Sequence, residues 1–364
     1  MSQSHQVPMA DPRLGEEEKA AVEAVLDSGM LAAGEAVAAF EAEFADYCDA
    51  AHAVATTNGT TALHAALEGL GIGAGDTVLT TPFTFVATAN AVRLAGADPL
   101  FADVDPSTYN LDPAAARETI AAHDGGIDAV LAVHLYGLPA ALDDLAEIAD
   151  AHDAPLVEDC AQAHGARHRG RPVGSVGDVG CFSFYPTKNM TTGEGGMIVT
   201  DDAGVAERVR SFIDHGRSGS RGHVRVGHNF RLPEAAAAIG RVQLDRLPGY
   251  VERRREHASR LNEGLAGTEL VTPTEPSHLR HAYNQYTVRC EQREQLRDHL
   301  ADAGIDTAVY YPTPVHEESA YDGVEASAPV AERAAREVLS LPVHPQLSAR
   351  DVDAVVDAVG SFEG

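Results

Sequence analysis

One amine stands apart in this chain. Of 364 residues only two are lysines, Lys19 and Lys188, although arginine, aspartate and glutamate are plentiful. Lys19 lies in a glutamate-rich amphipathic stretch and reads as a solvated charge. Lys188 lies between two apolar runs, in Cys181-Phe182-Ser183-Phe184-Tyr185-Pro186-Thr187-Lys188, with a glycine-rich Gly193-Glu194-Gly195-Gly196 behind it. Burial disfavours the charged form of an amine, and the free base attacks carbonyl carbon. The plain alternative, a loop lysine in water, fits poorly with a composition that has discarded lysine almost everywhere else.

Other groups could serve such an amine. Asp159 ends the apolar run of Val157-Glu158-Asp159-Cys160-Ala161-Gln162-Ala163-His164. A carboxylate buried there needs a cationic or donor partner, and a protonated ring nitrogen would do; a helix cap is the plain alternative. Gln162 and His164 stand either behind it or on the surface. Thr57-Asn58-Gly59-Thr60-Thr61 follows a short strand and opens a helix, where free N–H groups suit a phosphate, or where a simple cap would sit. Phe83 and Phe85, in Thr81-Pro82-Phe83-Thr84-Phe85, offer a flat platform or are core. Asn229 and Arg231 lie on a loop ahead of an alanine-rich helix and could meet a phosphate or a sugar hydroxyl, or equally cap that helix. The stretches Tyr310 to His316 and Leu339 to Pro345 read as rigid loops. Gly69-Leu70-Gly71-Ile72-Gly73-Ala74 matches a dinucleotide pattern but runs from helix to strand, the reverse of the required order, so it reads as a helix stop.

The elements that must position these groups alternate regularly. Strands are expected at Ala53 to Thr56, Thr77 to Thr81, Pro99 to Ala102, Ala129 to His134, Leu156 to Glu158 and Gly180 to Tyr185. Helical patterns fill the intervals, which predicts an α/β fold with a mostly parallel sheet covered on both faces and ligands beyond the carboxyl ends of its strands. Between Tyr185 and the run Gly196 to Thr200 only a loop fits, so these two strands should be antiparallel, with Lys188 at their turn. From about Arg241 the composition changes. An arginine-rich helix from Val251 to Leu265, a strand from Gln285 to Cys290 and further helices, one capped by Ser327, predict a smaller α+β domain. The expected division is 1–245 and 246–364.

Composition excludes several classes. The net charge is -28 at a pI near 4.8, which repels polyphosphate and argues against nucleic acid. The acidity is spread along helices, a pattern expected of a surface adapted to high salt. Four scattered cysteines with no paired spacing suggest reduced thiols in the cytoplasm. No apolar run approaches a membrane span, and no metal-ligand spacing is present.

Taken in order, TTNGTTALHAAL (56–67), TPFTFVATANA (81–91), VEDCAQAHGA (157–166), FSFYPTKNMTTGEGG (182–196), the segment from Asn229 to Leu244 and LSLPVHPQL (339–347) resemble the DegT/DnrJ/StrS family of sugar aminotransferases. The resemblance implies the aspartate-aminotransferase type of fold (fold type I) and pyridoxal 5'-phosphate as cofactor. It matches Lys188 to the lysine that holds the cofactor and moves the proton, Asp159 to the partner of the pyridine nitrogen, and Gln162 to a residue near the phenolic oxygen. Phe85 matches the stacking aromatic, and Gly59, Thr60 and Ser183 match the phosphate ligands. Asn229 matches a residue that reaches the phosphate from the partner subunit, so a homodimer with shared sites is implied. The implied reaction carries an amino group from an amino acid, usually glutamate, to a nucleotide-linked keto sugar for glycan or surface polysaccharide synthesis.

Tyr185, Arg231 and His316 are further candidates for substrate contacts. Two positions depart from the family pattern near where acceptors are read: His228 stands where many members carry another aromatic, and Asn284 where many carry histidine. Amination of a keto-cyclitol, or a regulatory member without catalysis, are the alternatives; the intact lysine, aspartate and phosphate groups argue against the last.

Overall fold

The computed structural model describes residues 6–362; residues 1–5 and 363–364, the outer ends of the two expected domains, lie outside it. Helices α1 (Glu16–Ser28) and α2 (Glu35–Tyr47) precede the alternation β1 (His52–Thr56), α3 (Gly59–Leu70), β2 (Thr77–Thr80), α4 (Ala87–Ala95), β3 (Asp98–Phe101), α5 (Pro113–Ala122), β4 (Ala129–Val133), α6 (Leu142–Ala151) and β5 (Leu156–Asp159). Two short strands, β6 (Arg167–His168) and β7 (Arg171–Pro172), lead to β8 (Val179–Ser183), β9 (Gly196–Thr200) and α7 (Ala203–Ile213).

These strands form a seven-stranded sheet in the order β1-β9-β8-β5-β4-β2-β3. Strand β9 runs antiparallel to both β1 and β8, and the other pairs are parallel. The expected antiparallel pair around Lys188 is therefore present. The strands read as continuous apolar runs because both faces are covered, and the alternation of side chains sorts them. On one face Val54, Leu131, Val157, Val179, Cys181 and Ile198 pack against α3, α4 and α7. On the other, Phe182, Met197 and Val199 meet Phe40 and Phe44 of α2, while Val130 and Ala132 meet α5 and α6.

The C-terminal part begins with α8 (Glu234–Gly264), a single helix of 31 residues that passes through Pro248. It replaces the separate alanine-rich and arginine-rich helices expected from the sequence, and the expected boundary at 245/246 falls inside it. Beyond it, β10 (Leu279–Arg280) joins β6 and β7 in a small sheet, and β11 (Tyr286–Arg289) pairs with β12 (Val338–Leu341). Helices α9 (Arg293–Asp302), α10 (Pro329–Glu337) and α11 (Ala349–Gly360) complete this part.

Two readings are corrected here. Leu339-Ser340-Leu341 is strand, not loop, held by antiparallel pairing with β11 and by a 2.7 Å hydroxyl contact between Ser340 and Thr287. Ser327 does not cap α10: the Asp103 carboxylate accepts from Val330 N–H at 2.8 Å and Ala331 N–H at 2.9 Å. A cap delivered from the large sheet's side of the chain fixes where α10 docks.

Candidate active site

Strands β5 and β8 lie side by side and parallel, with Asp159 opposite Cys181 in register. Both therefore end at the same edge of the sheet, which brings Asp159 and Ser183 to one place. Asp159 is 5 % exposed. Its Oδ2 accepts from Thr88 Oγ1 at 2.8 Å and its Oδ1 from Ala161 N–H at 3.1 Å. Burial raises its carboxyl above the ordinary range, and these two donors and the nearby Lys188 charge only partly offset that. Thr88, whose hydroxyl also meets Thr84 Oγ1 at 2.9 Å, is a positioning residue that reading the sequence missed. Its only signal there is a hydroxyl one helical turn beyond Phe85.

Lys188 sits in the loop joining β8 to β9. The loop is closed by Phe184 N–H on Gly195 O at 2.8 Å and by Lys188 N–H on Tyr185 O at 2.9 Å. Burial pushes the Lys188 amine down to about 8, with the Asp159 charge pulling the other way. The amine and the carboxylate thus come from different elements, 29 residues apart in number, and share one low-dielectric site. Behind them His164 is fully buried between the rings of Phe182 and Phe184, at centroid distances of 5.3 and 5.7 Å. Burial pushes it down to about 3, so it stands as a neutral ring. Of the two sequence alternatives for Gln162 and His164, the buried one holds for both.

The N-terminus of α3 faces the same edge. Asn58 is its cap: the side-chain Oδ1 accepts from Thr61 N–H at 2.9 Å, and the Thr61 hydroxyl meets Asn58 N–H at 3.1 Å. The first N–H groups of a helix have no acceptor within it, so those of Gly59 and Thr60 are left for an outside acceptor at the positive end of the dipole. A Cβ on Gly59 would fall 2.7 Å from Ser183 Cβ and 3.2 Å from its Oγ. Only glycine lets the helix start approach the Ser183 hydroxyl so closely.

The two phenylalanines separate. Phe83 is fully buried in the core, whereas Phe85 is 56 % exposed at the site. Gln162 is clamped, its Oε1 accepting from Tyr136 N–H at 2.6 Å and its Nε2 donating to Tyr311 Oη at 2.9 Å. Tyr311, read only as part of a rigid loop, lies 5.8 Å from the Phe85 ring.

The remaining candidates have separate surroundings. Tyr185 is 48 % exposed at the start of the lysine loop. His316 is largely buried, with Nε2 3.6 Å from Glu332; its segment is tied to the Phe85 loop by Val315 N–H on Pro82 O at 2.8 Å. Arg231 is ion-paired to Asp214. Asn229 is exposed on a segment held to the β1–α3 junction by Thr57 N–H on Phe230 O at 2.9 Å. His228 stacks on Phe230 at 4.5 Å, and Asn284 is buried against Gln285.

An amine of lowered basicity, a buried carboxylate, an uncovered aromatic face and a helix start cleared by glycine make a donor set that fits an aromatic aldehyde bearing a phosphate. Comparison with known proteins agrees. The model of the DegT/DnrJ/EryC1/StrS aminotransferase family matches residues 12–360. The chain is 42 % identical to a dTDP-3-amino-3,4,6-trideoxy-alpha-D-glucose transaminase of Streptomyces venezuelae, over 98 % of this chain and 96 % of that protein. It is 39 % identical to a pleiotropic regulatory protein of Geobacillus stearothermophilus, over 98 % of each. The solved structure of S. venezuelae DesV superposes with a TM-score of 0.94, at 42 % identity over 97 % of each chain.

Proposed function

The chain belongs to the DegT/DnrJ/EryC1/StrS aminotransferase family, and from that premise we propose that it moves an amino group from glutamate to a keto sugar carried on a nucleotide. Pyridoxal 5'-phosphate is its cofactor. Bound at the site, it supplies a carbonyl that exchanges for the amino group and a ring that takes up the electron pair of the broken C–H bond.

The residues divide the remaining work. Lys188 would hold the cofactor at rest through its amine and, when that amine is free, would serve as the base that takes and returns the donor's α-proton. Its lowered basicity brings a substantial share of free amine within reach at mildly alkaline pH. Asp159, already short of donors, keeps a proton on the ring nitrogen by supplying the opposite charge. The N–H groups of Gly59 and Thr60 and the Ser183 hydroxyl hold the phosphate. Phe85 covers a ring face, and Gln162 turns an amide N–H toward the phenolic oxygen. Tyr185, Arg231 and His316 read the sugar or the donor.

Asn229, exposed on its own protomer, reaches the phosphate of a second copy, so the working unit is a homodimer. The four cysteines are buried and unpaired, which supports a reducing cytoplasm. Among the described residues no helix is long and apolar enough to cross a membrane.

The observation that carries this reading is the meeting of Lys188 and Asp159 at one sheet edge, with the Gly59 clearance beside Ser183. Protein reconstituted with pyridoxal phosphate should show a visible band that borohydride bleaches and glutamate removes. Keto sugars on nucleotides should restore it. Lys188→Ala should lack the band and lose at least about 10³-fold in turnover. Wild-type protein that stays colourless would sink the reading, and restoration by keto-cyclitols alone would overturn the sugar.

A further inference from the structure

We propose that Tyr311 is a positioning residue for the phenolic oxygen of the cofactor: its hydroxyl and the Gln162 amide bonded to it form a two-donor edge against that oxygen. The inference rests on the reading of Gln162 given above and extends it to a residue from the C-terminal part of the chain.

The geometry is a relay fixed at both ends. Tyr136 N–H donates to Gln162 Oε1 at 2.6 Å, so the amide cannot flip without losing that bond. Its Nε2 must then face Tyr311 Oη, to which it donates at 2.9 Å, and it retains a second N–H. The Tyr311 oxygen, already accepting, retains its own hydrogen to donate. The Tyr311 loop is held in turn by the Tyr136 hydroxyl, which donates to Tyr310 O. The Tyr311 ring lies 5.8 Å from that of Phe85 and is inclined to it by 34°. Tyr311 therefore stands between the residue proposed to cover the ring face and the one proposed at the phenolic edge. Burial and the Asp159 charge hold its phenol well above the ordinary value, so the hydroxyl keeps its proton throughout the working range.

Donors to the phenolic oxygen stabilise its anion most when the nitrogen through which Lys188 holds the cofactor has lost its proton. They therefore lower the pH at which that nitrogen deprotonates, and removing one raises it. The titratable groups around this place are Asp159 and His164 from β5 and the turn after it, Lys188 and Tyr185 from the lysine loop, Tyr136 from the turn after β4, and Tyr310 beside Tyr311. Tyr311→Phe keeps all of these and removes one oxygen.

The test is the pH midpoint of the visible band in cofactor-loaded wild type, Tyr311→Phe and Gln162→Leu. The proposal expects the midpoint to rise by about one pH unit in each variant. A shift in Gln162→Leu with none in Tyr311→Phe overturns the role of Tyr311 and leaves that of Gln162 standing. No shift in either overturns the reading of Gln162, and the proposal with it. Should Tyr311→Phe fail to hold the cofactor, Tyr311→His, which keeps a ring N–H, must hold it with a midpoint within about half a unit of wild type. If neither variant holds it while circular dichroism shows an intact fold, Tyr311 serves binding and not positioning, and the proposal fails.

Discussion

Glu158 and Asp159 are neighbours on β5, and the pleat sends them to opposite faces of the sheet. Both carboxylates are buried, at 0 % and 5 % exposure, yet their surroundings differ. Glu158 is saturated. It accepts from His134 Nε2 at 2.9 Å, Gly174 N–H at 2.8 Å, Val176 N–H at 2.8 Å and Gly177 N–H at 2.7 Å. Ala140 N–H donates to His134 Nδ1 at 2.9 Å, so the ring proton is on Nε2, where it points at the carboxylate. Burial alone would raise Glu158, but these donors outweigh it and leave the carboxyl below its ordinary 4.5. Asp159 has two donors and is raised. Of two adjacent carboxylates, one is complete and fixes the loop from Gly174 to Gly177 against the sheet, while the other has capacity left over for a cation.

Asp159→Asn probes the incomplete member and should give the largest effect. Turnover should fall by about 10³-fold, because a neutral amide cannot hold the ring nitrogen charged. Stability of the cofactor-free protein should move the other way. A carboxyl whose folded pKa is raised costs stability when ionised, and the cost disappears as pH falls through the raised value. Removing the charge at neutral pH should therefore leave the melting temperature equal or higher. A variant both inactive and markedly less stable would show that Asp159 is as structural as its neighbour.

Glu158→Gln probes the complete member, with the opposite split. It should lose about 3 kcal/mol of stability at neutral pH, because at least one buried N–H donor is left without an acceptor. The folded fraction should keep turnover within about tenfold of wild type, since this side chain faces away from the amine. The sign with pH follows from the lowered carboxyl: its stabilisation is complete above about 4.5 and is lost as pH falls through the still lower folded value. Urea melts of wild type and variant should therefore converge under acid. Curves that stay equally separated would assign the stabilisation to something other than this ionisation.

The pair also marks what could be read from the chain alone. Strands β1 to β5, β8 and β9 were legible as apolar runs at regular intervals, and the short stretch around Lys188 required its two strands to be antiparallel. Asp159 was legible because it closes such a run, and Lys188 because lysine is so scarce. What escaped depends on partners remote in sequence. Thr88 reaches Asp159 across 71 positions and Gln162 reaches Tyr311 across 149, and no local pattern announces either meeting. Ser340 falls in a stretch that reads as a rigid loop, yet its pairing with Thr287 across 53 positions makes it strand. Ser327 looked like a cap because the carboxylate that does the capping, Asp103, lies 227 positions from Val330. The alanine-rich helix and the arginine-rich one from Val251 to Leu265 read as separate; proline is disfavoured within a helix, yet packing of Leu244, Leu247 and Val251 against the sheet layer carries α8 through Pro248.

The smallest predicted effect separates buried carboxylates from those at the surface. A net charge of -28 implies self-repulsion between exposed groups, and such repulsion is screened over about 10 Å at 0.1 M salt and about 3 Å at 1 M. Wild-type protein should therefore gain a few degrees in melting temperature between about 0.1 and 1 M potassium chloride. Glu158 lies where counter-ions do not enter, so the stability difference between wild type and Glu158→Gln should remain constant to within about 0.5 kcal/mol over the same range. A melting temperature indifferent to salt would mean that the surface acidity is not under repulsive strain. A Glu158→Gln difference that shrank with salt would mean that ions reach β5, and then neither carboxylate of the pair would be as enclosed as its hydrogen bonds indicate.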